Sequence, residues 1–424
     1  MKRASCIFTS RPLKKAHLRC YPCSASVCLG SEASKSPCAN LVWNRDSIRR
    51  HSPSASQHLG LFDRLAWQPF FNCCQWGDLK RMKTKKFLWV LWMLFLALAC
   101  TRSGEERSAG LPAPPLDTEG LKQALSCARG ETREQRAWPR KVDYTFRIYD
   151  FRADTFHEEA RVFEIERKPL RIVPHAVGVA EILWAMCPRE RLIAFNDISA
   201  DPEFCFLADE IRKKDHIFQT KQTERIIGFE PDLVFTTFYS GEEFKEKLKQ
   251  AKIPYFDLGY FGTIASIQEQ TLLIGRIIGE EVNAEALVNL MDEKIRELRS
   301  KIPKDRAGMR VLYYDEGGYI PGRSSNFSSI CEIIGTVNVG SEQGIKSWSQ
   351  IDYETLLKWD PEIIVVPEGS GLSEQLRSNP ILAHAQAVKE GKIYAVPGIY
   401  LRVASQYMIL SANLLAGIVY ADGA

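Results

Sequence analysis

Residues 223–236 read TERIIGFEPDLVFT, and residues 353–366 read YETLLKWDPEIIVV. In both stretches a glutamate, Glu224 or Glu354, opens a helical segment, a proline and an acid follow, and a short apolar run ends the stretch. A helix followed by a buried strand is a building unit of α/β folds. Its presence in matching places of two halves predicts two α/β lobes.

The same alternation of strands and helices continues outward from both stretches. Strands are predicted at residues 144–150, 161–166, 170–174, 192–195, 233–236, 255–258, 310–314, 363–366 and 393–396. Helices are predicted at residues 177–186, 264–278 and 327–334. Strands that alternate with helices predict parallel sheets covered by helices.

One long helix is predicted between the two halves. Apolar residues recur at helical spacing from residue 283 to 302, with Asn283 as the predicted N-cap and Pro303 as the end. The predicted fold class is therefore α/β, with two Rossmann-like lobes joined by a rigid helix. We assign residues 143–282 to the N-terminal lobe, 283–303 to the connecting helix and 304–424 to the C-terminal lobe.

A segment that resembles the N-terminus of an exported protein lies inside the chain at residues 82–100, MKTKKFLWVLWMLFLALAC. Lysines precede an apolar run at residues 87–99 that is too short to span a bilayer as a helix, a pattern typical of a secretory signal peptide. The ending resembles a bacterial lipobox, which implies cleavage before Cys100 and lipidation of its thiol. The alternative is an internal buried helix or a short membrane anchor.

The signal predicts how the flanking segments are used. Because such signals are N-terminal, we expect translation to start at Met82 and residues 1–81 to be a non-native extension. Residues 100–142 are rich in Gly, Pro, Ala and Glu near their start and are predicted to be a flexible tether. The expected location is the bacterial cell envelope, on the periplasmic side or outer face of the cytoplasmic membrane.

Charge and cysteine content also change at this signal. Residues 1–81 contain 13 Lys and Arg but only 4 Asp and Glu, and residues 82–99 add three lysines. Residues 100–424 therefore contain 40 of the 56 basic residues and 48 of the 52 acidic residues, which gives a net charge of −8. An acidic body argues against a nucleic-acid surface. After Cys100 only Cys127, Cys187, Cys205 and Cys331 remain, which allows one disulfide but no disulfide framework.

The order of motifs resembles the substrate-binding proteins of ABC importers for ferric siderophores, haem and cobalamin. The resemblance covers residues 170–420 and is carried by RIVP (171–174), AEIL (180–183), TERIIGFEPDLV (223–234), EIIG (332–335), WSQIDYE (348–354), WDPEIIVV (359–366) and GKIYAVP (391–397). It implies the class III periplasmic binding protein fold, a monomeric receptor, and permease and ATPase subunits as partners. The chain departs from the family at His175, where a small polar residue is usual, and at Gly335-Thr336, where Gly-Gly is usual.

Ligands of open α/β sheets bind beyond the carboxyl ends of the strands, and two lobes place two such edges face to face. The predicted ligand-binding residues follow strand ends and are His175, Asp197, Phe238, Tyr239, Tyr260, Tyr319, Arg323, Trp348, Tyr400 and Arg402, with Phe261 beside them. Aromatic rings supply broad apolar planes, and guanidinium groups bind carboxylates or phosphates. Such residues suit a flat or bulky ligand, and the resemblance implies that this ligand is an iron- or cobalt-containing chelate. For each aromatic residue, ordinary packing is the alternative.

His175 has two interpretations. Its imidazole could ligate a metal, or it could form a hydrogen-bonding wall of the cleft, which is commoner for a histidine at a strand end. A receptor for free zinc or manganese ions would need several histidines and carboxylates around one ion. The other histidines after Cys100, His157, His216 and His384, follow no predicted cleft strand, which disfavours that alternative.

Two further roles complete the predicted function. The resemblance implies that Glu224 and Glu354 dock to arginines of the permease, one in each lobe; helix N-terminal carboxylates favoured by the dipole are the alternative. An envelope hydrolase or redox enzyme is the competing class. No nucleophile elbow, Walker loop or dinucleotide fingerprint follows Cys100, and nothing in the sequence pairs Asp197, Asp315 or Glu316 with a nucleophile. The sequence therefore predicts a non-catalytic receptor.

Overall fold

The computed structural model describes residues 111–131, 137–150, 155–260 and 262–421 of the chain. All of them lie in one unit, Met82–Ala424. The predicted signal peptide, Cys100, the extension at residues 1–81 and Phe261 lie outside the described residues. Within the described ranges, no helix is both long enough and apolar enough to pass through a bilayer.

The structure alternates short strands with helices over most of its length. The strands are β1 (Arg140–Asp150), β2 (Thr155–Ile165), β3 (Ile172–Pro174), β4 (Phe195–Asn196), β5 (Ile217–Phe218), β6 (Leu233–Thr236), β7 (Tyr255–Asp257), β8 (Arg310–Tyr313), β9 (Tyr319–Pro321), β10 (Val337–Asn338), β11 (Trp348–Gln350), β12 (Ile363–Pro367) and β13 (Ile393–Val396). The helices are α1 (Thr118–Leu125), α2 (Val177–Met186), α3 (Ala208–Ile211), α4 (Thr223–Gly228), α5 (Glu242–Gln250), α6 (Ile264–Ile278), α7 (Glu281–Ser300), α8 (Asn326–Ile334), α9 (Val339–Glu342), α10 (Tyr353–Trp359), α11 (Leu372–Ser378), α12 (Gln386–Lys389), α13 (Gly398–Arg402) and α14 (Met408–Tyr420). Short 3₁₀ turns lie at Arg189–Arg191, Ile198–Ala200, Lys304–Arg306, Glu316–Gly318 and Pro380–His384.

The N-terminal lobe is built on a parallel sheet with the strand order β3, β6, β7. Ile172 of β3 pairs with Leu233 of β6, and Val234 pairs with Tyr255 of β7. Strands β4 and β5 form a separate parallel pair next to this sheet. All residues of β3 and β6 are buried, as expected for a parallel sheet covered on both faces.

The C-terminal lobe contains a second parallel sheet in the order β10, β8, β12, β13. All five residues of β12 are buried. Because side chains alternate along a strand, Val365 joins the core cluster on one face of the sheet and Val366 joins the cluster on the other. The predicted α/β class with two parallel-sheet lobes is confirmed.

The predicted connecting helix at residues 283–303 is present as α7, Glu281–Ser300, with shifted ends. Helix α6 ends at Ile278, its C-cap Gly279 takes a left-handed conformation with φ +74°, and Glu280 is the N-cap residue of α7. Asn283 is not the N-cap: its amide donates to Met186 O at 3.1 Å and to a Glu280 carboxylate oxygen at 2.9 Å. The apolar spacing predicted the helix correctly. Its predicted start is wrong, because the Asn283 side chain bonds to Met186 and Glu280 instead of capping the helix.

The predicted flexible tether at residues 100–142 is wrong for its described part. Residues 118–125 form helix α1, capped by the Asp117 carboxylate, and bury Leu121 and Leu125. The helix is held to the C-terminal lobe, where the Ser126 and Tyr407 hydroxyls lie 2.6 Å apart. Burial of these two leucines, together with contacts to Tyr407 and Asn413, docks a segment whose neighbouring composition is typical of a linker.

Strands β1 and β2 form an antiparallel hairpin that is longer than the two predicted strands. The register runs without a bulge from Arg140 opposite Ile165 to Asp150 opposite Thr155. At about 3.4 Å per residue, this ladder is roughly 34 Å long. The four cysteines at 127, 187, 205 and 331 are free thiols, so the disulfide that the sequence allowed is not formed among them.

Candidate ligand-binding cleft

Three of the predicted aromatic residues lie together at the carboxyl edge of the N-terminal sheet. Phe238 and Tyr239 follow β6, Tyr260 follows β7, and the ring centroids of Phe238 lie 4.9 Å from Tyr239 and 5.1 Å from Tyr260. Tyr239 is 57% exposed, whereas the other two rings are half-buried. Burial raises the pKa of Tyr260 to about 12, so its hydroxyl stays protonated at neutral pH. The edge therefore presents a partly exposed aromatic surface.

His175 follows β3 but lies inside the wall of the lobe rather than on the open edge. Its side chain is buried, its Nδ1 lies 3.0 Å from the Ser240 hydroxyl, and its Nε2 lies 3.2 Å from Thr220 O. The imidazole stacks on Phe244 with a centroid distance of 4.1 Å. Burial lowers the pKa of His175 to about 4, so the ring is neutral at pH 7. With both ring nitrogens hydrogen-bonded, the structure favours the wall interpretation over metal ligation.

Asn196 and Asp197 shape the loop that follows β4. The Asn196 amide donates to His175 O at 2.7 Å, and the Asp197 backbone N–H donates to Phe218 O at 2.8 Å. Asn196 is buried and Asp197 is half-buried. Asn196 therefore fixes the loops around β3, and Asp197 is the one of the pair that reaches the surface.

The edge of the C-terminal sheet combines an aromatic residue with an ion pair. The Tyr313 hydroxyl donates to one carboxylate oxygen of Asp315 at 2.6 Å, and Arg402 lies 3.4 Å from the other. Trp348 packs edge-on against Tyr313 with a centroid distance of 5.8 Å and remains 38% exposed. Burial, followed by the Asp315 charge, raises the pKa of Tyr313. Arg402 and Trp348 thus lie around one Tyr313–Asp315 unit.

The antiparallel pair of β9 and β11 places the remaining C-terminal candidates. Tyr319 begins β9 and is half-buried, and Trp348 begins β11 opposite Pro321. Arg323 follows β9 and is exposed; its backbone N–H donates to Ile345 O at 2.9 Å. The geometry places Trp348 and Arg323 on neighbouring ends of this pair.

The two lobes contact each other directly between the candidate edges. The Tyr260 hydroxyl donates to Ser324 O at 2.9 Å, which joins the loop after β7 to the loop after β9. Tyr400 contacts Phe206 of the N-terminal lobe edge-on at 5.2 Å. Tyr260 and Tyr400 therefore serve as contacts between the lobes as well as candidate ligand residues.

A buried carboxyl group also links the lobes. Glu181 of α2 accepts hydrogen bonds from the Ser405 hydroxyl at 2.6 Å and from the Phe206 backbone N–H at 2.9 Å. The Gln406 amide donates to the backbone oxygen of Glu181 at 2.9 Å. Burial raises the pKa of Glu181 to about 7. This contact stabilises the interface beneath the cleft and was not predicted as such from the sequence.

Metal ligands do not converge anywhere in the part of the chain that the structure describes. No group of three or more His, Cys, Asp or Glu side chains there could hold an ion. Asp315, a candidate acid or base, is occupied by Tyr313 and Arg402. The described cleft therefore offers aromatic surface and a paired arginine rather than a metal cage.

Glu224 and Glu354 lie in equivalent positions on the two lobes. Each is the second residue of its helix, α4 or α10, and each lies nine residues before the first residue of the buried strand that follows. Both are exposed; Glu224 forms an ion pair with Lys247 at 3.0 Å, and Glu354 borders a surface cavity of about 410 Å³. Glu224 and Glu354 therefore place an exposed carboxylate at equivalent positions of the two lobes.

Two α/β lobes with parallel sheets, each with aromatic residues near one edge, define the architecture of a two-lobed binding-protein fold. Residues 215–400 match the family model described as periplasmic binding protein. The predicted recognition is confirmed, and the fold is that of the class III periplasmic binding proteins.

Similar proteins agree with this assignment. A cobalamin-binding protein of Halobacterium salinarum is 23% identical over 235 residues, which cover 54% of this chain and 62% of the relative, so the chain spans about three fifths of that relative's length. An uncharacterized ABC transporter substrate-binding lipoprotein of Bacillus subtilis is 21% identical over 267 residues, or 61% of this chain and 82% of the relative. The crystal structure of the periplasmic haem-binding protein of Vibrio cholerae has the same fold, with a TM-score of 0.51, 19% identity and coverage of 59% of this chain and 99% of that chain.

Several cleft residues were not found by sequence reasoning. Phe206 and Tyr313 follow no predicted strand end, and Tyr149 and Phe156 belong to the hairpin rather than to a parallel strand. Tyr313 is the last residue of β8, one residue before the predicted end of that strand.

Proposed function

We propose that this chain is the substrate-binding receptor of an ABC importer and captures a metal chelate, namely cobalamin, a ferric siderophore or haem, between its lobes. The single observation that supports this most is the pair of exposed aromatic side chains at the two sheet edges, Tyr239 in one lobe and Trp348 in the other. Large exposed aromatic groups at a cleft are typical of binding sites because their burial on a ligand is favourable.

The ligand would lie between an aromatic N-terminal wall and the Trp348 side of the C-terminal lobe. Arg323 is exposed and Arg402 is partly exposed, so their positive charges favour a chelate with carboxylate or phosphate groups. The bound metal is cargo inside its chelate. His175 would shape the wall without contacting that metal, because its ring nitrogens bond to Ser240 and Thr220.

Delivery would require little movement of the lobes. The largest cluster of buried residues is continuous through both lobes and through α6, α7 and α14. A packed core of this kind resists large hinge motions. The loaded receptor would then dock to the permease through Glu224 and Glu354, whose matching positions support one ionic contact per lobe. ATP hydrolysis would take place in the partner subunits.

The receptor would be held in the cell envelope by lipid on Cys100, after removal of a signal peptide at residues 82–99. The proposal rests on the lipobox-like sequence and on the lipoprotein description of the Bacillus subtilis relative. Residues 1–81 would then be absent from the natural product. Mass spectrometry of that product tests this point: a peptide from residues 1–81 would overturn it.

An absorption screen tests the binding function. The purified protein is mixed with cyanocobalamin, haemin or a ferric catecholate, passed through a desalting column, and its spectrum recorded. We expect one class of bands to stay with the protein: corrin bands, a Soret band or a catecholate charge-transfer band. A protein that retains none of the three but keeps zinc through dialysis would contradict the proposal and favour a free-ion receptor.

A further inference from the structure

The β1–β2 hairpin passes along the N-terminal sheet and extends beyond its carboxyl edge. Midway along β1, Tyr144 contacts Phe256 of β7, with ring centroids 4.6 Å apart. Three residues later, Arg147 O accepts a hydrogen bond from the Tyr260 backbone N–H at 2.8 Å, after β7 has ended. Strand β1 therefore runs in the same direction as β7. Residues 148–150 and their partners on β2 lie past the end of the sheet, on the ligand side.

A glycine allows the hairpin to approach this edge closely. Gly259, between β7 and Tyr260, has φ +67°, and a Cβ atom there would collide with Arg147 O and touch the Phe146 ring. A side chain at position 259 would push the hairpin away from the sheet. The close approach of β1 to the edge of the sheet thus depends on glycine at position 259.

The hairpin end adds two rings to the aromatic edge. Phe156 lies 4.9 Å from Tyr149 and 5.5 Å from Tyr260, and Tyr149 stacks on Tyr260 at 5.4 Å. With the contact of Tyr260 to Phe238, the rings form a continuous aromatic band from the hairpin to the loop after β6. Tyr149 is buried, whereas Phe156 is 43% exposed. Tyr149 therefore positions the band, and Phe156 is its accessible part on the hairpin.

Several charged groups near the aromatic residues of the hairpin form ion pairs within the hairpin or with α6. Arg147 bonds to Glu158 at 2.7 Å and to Glu269 at 2.9 Å, and Arg161 bonds to Glu159 at 2.7 Å. The Arg147 pairs join β1 to β2 and to α6 close to Tyr149. Among the described residues of β2 near this end, Phe156 carries an exposed aromatic ring on the face that contacts Tyr260.

From this geometry we infer that Phe156 is a specificity-determining residue of the cleft, and that the hairpin is a third ligand wall next to the two lobes. The wall selects chelates with a conjugated planar face, such as a tetrapyrrole macrocycle or a catecholate ring, because an aromatic ring binds such a face by stacking. This inference rests on the proposed function and adds to it the chemical class that the hairpin recognises.

The test uses variants of one exposed strand. Phe156→Ala removes the ring and Phe156→Leu keeps an apolar side chain without a π face. Val162→Ala is the matched control. Val162 is 50% exposed and lies six residues after Phe156 in β2, so both side chains point to the same face of the hairpin. Each variant is titrated with cyanocobalamin, haemin and a ferric catecholate, by absorption, and its thermal midpoint is recorded.

We expect Phe156→Ala and Phe156→Leu to bind the retained chelate about tenfold more weakly than the wild type, and a third variant, Phe156→Tyr, which keeps the aromatic face, to bind as the wild type does. Val162→Ala should bind as the wild type does, and all variants should unfold at similar temperatures. Equal affinity of Phe156→Ala and the wild type would overturn the inference and leave the receptor function intact. If the wild type binds none of the three chelates, the proposed function fails and the inference fails with it.

Discussion

Replacing Glu181 by glutamine should make the protein more stable at neutral and alkaline pH. The carboxyl group is buried and accepts hydrogen bonds from the Ser405 hydroxyl and the Phe206 backbone N–H. A glutamine can accept from Phe206 through its oxygen and donate to the Ser405 oxygen through its nitrogen. The substitution therefore keeps the contact between the lobes and removes the charge.

The size of the effect follows from the pKa of Glu181, which burial raises from 4.5 to about 7. A difference of roughly 2.5 pH units corresponds to about 3 kcal/mol. Because the unfolded state loses this proton more readily, the wild type loses stability as pH rises from about 4.5 to 7, and the loss is complete above pH 7. The variant has no such loss.

Urea unfolding of both proteins at pH 5 and pH 8 measures the difference. The stability gained by Glu181→Gln should be about 2 to 3 kcal/mol larger at pH 8 than at pH 5. Glu374→Gln, at an exposed position, is the control and should show no such pH dependence. An equal gain at both pH values, or a variant that is less stable at pH 8, would refute the assignment of a raised pKa to Glu181.

Three further predictions concern other sites. His175→Phe should lower the free energy of unfolding by about 2 kcal/mol at pH 7, because the hydrogen bonds of the imidazole are lost. In the wild type, the neutral imidazole of His175 contributes its full stability above pH 6.5 and loses it as pH falls to about 4, a pH dependence that the variant should lack. Urea unfolding of both proteins at pH 4.5 and 7 measures these differences. Replacing Glu224 and Glu354 together by glutamine should leave stability and chelate affinity unchanged, because both carboxylates are exposed, yet reduce stimulation of the partner ATPase; full stimulation would contradict docking. Cys100→Ser should move the exported protein from the membrane fraction to the soluble fraction, as immunoblotting would show, and unchanged membrane attachment would contradict lipidation.

Elements with strong apolar periodicity were predicted closely. The helices at residues 177–186 and 264–278 have the predicted bounds, and so do the strands at residues 233–236 and 393–396. In each of these segments, burial of the apolar face determines the structure, and that face is visible in the sequence. Helix α1 was missed because it follows a stretch rich in proline and its stability comes from contacts with Tyr407 and Asn413, almost 300 residues away.

The candidate site was predictable in type but not in detail. Strand ends indicate where a residue such as Tyr239 lies, because the carboxyl edge of a parallel sheet is a consequence of its topology. Trp348 instead begins β11 and reaches the edge of the C-terminal sheet by packing on Tyr313. The orientation of His175 could not be predicted, since its partners Ser240 and Thr220 come from loops that the sequence does not connect to it. The contribution of Phe156 depends on the register and length of an antiparallel hairpin, which the alternating pattern leaves undetermined.

The central claim is that one chelate contacts both lobes at once. It is tested most directly by titrating the retained chelate into the wild type, Tyr239→Ala, Trp348→Ala and the double variant, with absorption as the readout. We predict that each single variant binds about tenfold more weakly, that the double variant loses more than either, and that one chelate binds per protein in every case. Unchanged affinity in both single variants would contradict the account.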